Sequence, residues 1–240
     1  MFRARLGLSG LAGALSVMCM VAATSASAAI KFEWKVGGVV LKAGETKEFT
    51  VTADGHTFDF TATAGGASIL MLSTEFGVEA GAKIIGGKPS TNEETVVFKG
   101  VTVDKPAKCA IESEGSSTGT IKTVPLKTEI VESDTTHEPL ILFQPRAGTA
   151  FVNLLLLNNG TEVCTLKGVL AALAGNFLGE PLPALTETVN GHIIFEAPTK
   201  KFVLSNGTLE EAGLLFGGNA ATFTGLALVL LTSGQAYGAF

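Results

Sequence analysis

Short apolar runs separated by two-residue turns constrain this chain more than any other feature of its sequence. Asp54-Gly55, Asn159-Gly160, Asn190-Gly191, Asn206-Gly207 and Ser233-Gly234 each lie between two such runs. These dipeptides tolerate the positive φ angles of a tight turn, so each predicts a pair of antiparallel strands. In residues 49–63, Phe49, Val51, Phe58 and Phe60 alternate with polar residues on either side of Asp54-Gly55. Residues 151–169 predict an apolar strand, a turn at Asn159-Gly160 and a second strand carrying Cys164. Leu154 to Leu157 is apolar without alternation, as expected of a strand covered on both faces.

Other stretches follow the same pattern. Residues 68–76 lie between glycines and are followed by Ile84-Ile85, which favours strands, and Val, Phe and Thr dominate residues 96–103. Asp104-Lys105-Pro106 stops that run, because proline cannot donate to a sheet ladder, and positions 104–106 are the candidate internal boundary. Residues 168–179, GVLAALAGNFLG, are the one segment whose Ala and Leu content suits a helix. Gly175, Pro181 and Pro183 limit it to a short one. The expected fold is all-β: an antiparallel sandwich or barrel-like sheets built from hairpins, with at most one short helix.

The first 28 residues predict a secretory signal. Arg3 and Arg5 form a positive start, residues 11–23 a mostly apolar run, and Ala26-Ser27-Ala28 the small-residue cleavage site. The apolar run is shorter than the ~20 residues that cross a bilayer. Cleavage leaves residues 29–240 as the mature region, with no further membrane span expected. It removes Cys19 and moves the formal net charge from −5 to −7, since two arginines leave. An acidic exported protein is a poor partner for nucleic acid. Export also changes the meaning of Cys109 and Cys164. In an oxidising compartment an even pair predicts a disulfide, and their spacing matches no zinc or redox motif.

Candidate chemistry is sparse. Gly115-Ser116-Ser117-Thr118-Gly119 matches the G-x-S-x-G turn that exposes a hydrolase serine, making Ser117 the candidate nucleophile and His137 or His192 its candidate base. That motif needs a helix after the serine, and TIKTVPLK follows instead, which predicts a hairpin loop. Residues 81–90, GAKIIGGKPS, resemble a phosphate-binding loop but carry Gly87 where lysine is required, so a surface turn is expected at residues 86–90. His56, His137 and His192 are isolated from one another, and no metal or cofactor site is expected. Two of Glu33, Asp59, Glu75 and Glu196 could in principle form a sugar-hydrolysing pair, which requires a defined separation and one raised pKa. The terminal Phe240 raises an outer-membrane barrel, but Gly238, Ala236 and Gly234 make a poor lipid-facing set.

FEWKVGG near the mature start, GAKIIGGKPSTNEETVVFKGVTVDKPAKC in the middle and AATFTGLALVLLTSGQAYGAF at the close carry a resemblance. The chain resembles a group of exported, uncharacterised proteins of soil actinobacteria. The resemblance implies export and a β-rich fold and brings no active site with it. The expected function is that of an exported, non-catalytic structural or binding protein of the cell envelope or extracellular space, partnered by an envelope or extracellular component. A secreted hydrolase acting through Ser117 or a carboxylate pair is the alternative, and an outer-membrane barrel the second.

Overall fold

The computed structural model describes residues 32–196 and 200–240, so the signal segment expected at residues 1–28 lies outside the described residues. Every regular element among the described residues is a strand. Thr46–Ala53, Asn219–Leu231, Gly191–Phe195, Phe177–Leu182, Pro139–Pro145, Leu126–Ser133, Thr91–Glu94 and Lys83–Ile85 pair antiparallel in that order. Lys83–Ile85 then pairs back onto Thr46–Ala53, which closes an eight-stranded barrel. The all-β expectation holds, and of its two forms the barrel is the one adopted. Strands drawn from both sides of positions 104–106 build this single ring.

A second sheet grows from the same long strand. Thr222, Phe223 and Thr224 of Asn219–Leu231 pair with Phe58–Ala64, whereas residues 227–231 pair with Thr46–Ala53 in the barrel. From there the sheet runs through Ala67–Ser73 to Thr102–Lys105 on one side. On the other it runs through Leu214–Phe216, Leu170–Gly175 and Ala150–Asn158 to Cys109–Ser113. A small third sheet joins the two ends of the described chain, with Trp34–Val36 between Val39–Val40 and Tyr237–Ala239.

The turn dipeptides behave differently from expectation. Of the five, only Asn206-Gly207 closes a direct hairpin, between Lys201–Val203 and Leu209–Glu211. The runs flanking Asp54-Gly55 do not pair with each other and lie instead along different parts of Asn219–Leu231. Past Asn159-Gly160 a single bridge to Glu162 gives way to a loop, and the strand partner begins only at Leu170. Cys164 therefore sits in a loop, where its N–H donates to Asn158 Oδ1. Asn190-Gly191 ends a longer connection, and the strands around Ser233-Gly234 belong to different sheets. The tight hairpins are made by Gly-Gly: Gly37-Gly38 joins Val36 to Val39, Gly65-Gly66 joins Ala64 to Ala67, and Gly217-Gly218 joins Phe216 to Asn219. Both glycines of each pair have positive φ, the geometry whose twist matches that of the strands.

The short helix allowed for residues 168–179 is replaced by Leu170–Gly175 and Phe177–Leu182. Gly175, with φ +101°, turns the chain between them. Pairing with Ala150–Asn158 and Leu214–Phe216 on one side, and with the barrel on the other, overrides the helix preference of Ala and Leu, since tertiary pairing outweighs intrinsic propensity. Leu154–Leu157 also departs from expectation, since Leu154 and Leu156 are buried and Leu155 and Leu157 only half-buried.

The barrel and second sheet share an aromatic core. Phe58 stacks on Phe76 at 4.3 Å and on Phe223 at 5.7 Å, Phe195 meets Phe223 at 5.1 Å, and Phe177 links Phe143 at 4.8 Å with Phe151 at 5.2 Å. Offset and edge-on rings contribute about 0.5–1.5 kcal/mol per pair beyond their burial. Gly225 makes this column possible: a Cβ there would lie 2.2 Å from the Phe58 ring. The third sheet plugs the barrel, where its Trp34, Tyr237 and Ala239 line the cavity together with Phe143 and Phe195.

Candidate functional site

Continuous alternation through residues 91–96 turns Asn92, Glu94 and Val96 inward and Thr91, Glu93 and Thr95 outward. Inside the barrel, Asn92 and Glu94 join Phe49, Val51, Ile84, Ile141, Phe143 and Phe195 around a cavity of about 40 Å³. The wall is thus mostly apolar, with one carboxyl set into it. Burial pushes the Glu94 carboxyl up to about 8, because the apolar surroundings disfavour its charged form. Glu94 Oε1 has no hydrogen-bond partner. Thr128 lies opposite Asn92 on the neighbouring strand, hence on the same inner face, and its Oγ1 is likewise without a partner.

The plug is fastened to this polar strand. Trp34, 2% exposed, donates its indole N–H to Asn92 Oδ1 at 3.0 Å and its backbone N–H to Ser90 Oγ at 3.1 Å. Tyr237 donates its hydroxyl to the Val229 carbonyl at 3.0 Å, and burial raises its pKa. Glu187 accepts the Gly38 N–H, and the backbone of Thr188 pairs with that of Tyr237. Residues 86–90, expected as a surface turn, have a structural duty: Ser90 is fully buried and anchors the plug, and Gly86 has no room for a Cβ, which would lie 2.3 Å from the Lys42 carbonyl.

The residues singled out from the sequence are not brought together. Ser117 is exposed in the turn between Cys109–Ser113 and Ile121–Lys122, and its hydroxyl is 3.3 Å from that of Thr120. His137 Nδ1 is 2.6 Å from Glu132 Oε1, His192 Nε2 is 3.0 Å from Asp54 Oδ2, and His56 is exposed. Each carboxylate has a separate local setting. Glu33 faces Lys88 at 3.4 Å, Asp59 accepts the Thr57 hydroxyl, Glu75 is exposed beside Ser73, and Glu196 faces Lys200 at 3.5 Å. Lys200 also contacts Glu180, and its partial burial lowers its pKa. Among the described residues no three His, Cys, Asp or Glu side chains converge as metal ligands.

Cys109 and Cys164 form a disulfide with their Cα atoms 4.6 Å apart, and both are buried. It ties the edge strand Cys109–Ser113 to the loop that leaves Ala150–Asn158, across a separation of 55 residues. Such a bond fits an oxidising environment. Among the described residues no helix is long and apolar enough to cross a membrane.

The sequence reading missed Ser90, Asn92, Glu94 and Thr128. A signal for two of them was present: Val96 belongs to the core, and a period of two carries its face back through Glu94 and Asn92. No protein-family model, curated protein or solved structure matches the chain.

Proposed function

We propose that this chain is an exported, disulfide-stapled β protein that acts without catalysis, as a structural or binding module of the cell envelope or extracellular space. It is the same kind of protein as the exported actinobacterial group its sequence resembles. The observation that carries this reading is where the reactive side chains are engaged. The Ser117 hydroxyl is turned to Thr120, while His137 and His192 are each held by an acid, Glu132 and Asp54. A nucleophile and base must lie within hydrogen-bond reach, and here each has a different neighbour. The inward carboxyl, Glu94, lines the barrel cavity together with Trp34, and its Oε1 has no hydrogen-bond partner.

The closed barrel gives the outer-membrane alternative its one point of support. Such barrels face lipid with an apolar band. This one faces outward with Lys83, Glu93 and Lys127, and Glu93 pairs with Lys83 at 3.1 Å and with Arg146 at 3.4 Å, so we favour a soluble exported module. The test is labelling of the purified, oxidised protein with a serine-reactive phosphonate. No adduct is expected; an adduct on the wild type that disappears in Ser117→Ala would overturn the non-catalytic reading.

A further inference from the structure

The barrel interior carries more polar chemistry than its walls satisfy. Glu94 lines the cavity, is 8% exposed, and has an unpartnered carboxyl oxygen. Thr128 is 1% exposed, its hydroxyl is also unpartnered, and the strand register puts it on the inner face beside Asn92. Buried polar atoms in folded proteins are almost always paired, with protein or with ordered water. The space beside Glu94, about 40 Å³, decides what can pair with it. A water molecule needs roughly 10–15 Å³ of such space and two to four polar partners, whereas a cavity that takes benzene measures roughly 150 Å³. The cavity therefore suits about three waters and is too small for even a single-ring apolar guest.

We propose that the barrel interior is a hydration site, in which a small cluster of water molecules is anchored on the Glu94 carboxyl. Asn92, whose Oδ1 already holds the Trp34 indole, forms the roof of the site beneath the plug.

Two measurements on the full, oxidised mature chain test this. Crystals of the wild type under xenon pressure should show ordered solvent within hydrogen-bond distance of Glu94 and no xenon in the cavity. Xenon bound there in place of solvent would refute the proposal. In solution, long-lived water should give magnetisation-transfer cross-peaks to the amides of residues 92–94. These cross-peaks should persist in Glu94→Gln and be lost in Glu94→Leu. Their absence from the wild type, or their persistence unchanged in a folded Glu94→Leu variant, would also overturn it. The wild-type arms decide the matter even where the leucine variant does not fold.

Discussion

Asn92, Glu94 and Thr128 face the inside of the barrel, whereas the sheet behind it turns Ile69, Ile111, Leu154, Leu156 and Phe216 inward. That second sheet also buries serines, but they are satisfied. Ser73 donates to the carbonyl of Lys99, and Ser113 accepts the N–H of Lys122. In the barrel two inward polar atoms have no protein partner. The two regions share one long strand and one phenylalanine column, yet they are secured by different means. The second sheet has a covalent staple at its far edge, and the barrel has a plug held by hydrogen bonds to its polar strand. The difference teaches that one continuous core can carry two kinds of vulnerability, to reductant on one side and to charge on the other.

The shared column should carry the largest single effect. Phe195 is 3% exposed and meets Phe58, Phe76, Phe143, Phe177 and Phe223, so it belongs to both regions. Phe195→Ala should destabilise the protein by up to about 5 kcal/mol. Denaturant unfolding followed by Trp34 fluorescence, which reports the barrel, and by far-UV circular dichroism should shift together. Two separated transitions would break the idea of a common core.

Removing the staple comes next. Closing a loop of 55 residues stabilises by about 4 kcal/mol in the chain-entropy model, so Cys109→Ala/Cys164→Ala should lower the denaturant midpoint accordingly. Mass spectrometry of the wild type before reduction should find neither cysteine open to alkylation. Loosening the plug is smaller. Trp34→Phe leaves Asn92 Oδ1 buried without its donor, at a cost of about 1–3 kcal/mol, measurable as a lower melting temperature. Ser117→Ala, on an exposed turn, should change stability by less than about 0.5 kcal/mol in the same assay.

Period-two alternation made the strands legible from the sequence, and an even pair of cysteines, with export expected, made the staple legible. The pairing partners were not. Asp54-Gly55 has the chemistry of a hairpin turn, but Asn219–Leu231 is long enough to accept the strands on both sides of it, and nothing local announces that. The Gly65-Gly66 hairpin was not legible, because glycine alone does not distinguish a flexible joint from a turn with two positive φ angles. The polar interior was hidden for a related reason. Asn-Glu-Glu in residues 92–94 has the composition of a solvated edge, and only closure of the barrel through Leu126–Ser133 puts alternate members of it inside. The fastening of Trp34 was not legible either, because its partners Ser90 and Asn92 lie more than fifty residues away.

The contrast between the two regions rests most heavily on Glu94, and the pH dependence of stability measures it directly. In the unfolded chain this carboxyl loses its proton near 4.5, whereas in the folded barrel it keeps the proton until about 8. The folded state then binds the extra proton, so the contribution of Glu94 to stability is most favourable below about 4.5 and falls as pH rises toward 8. Urea denaturation of the oxidised wild type and of Glu94→Gln at intervals from pH 5 to pH 8 isolates this group, since all other titrations are common to both. The variant is predicted to gain on the wild type by up to about 1.4 kcal/mol per pH unit across that range. Parallel stability curves, with a constant difference from pH 5 to pH 8, would contradict a buried, unpaired acid inside the barrel.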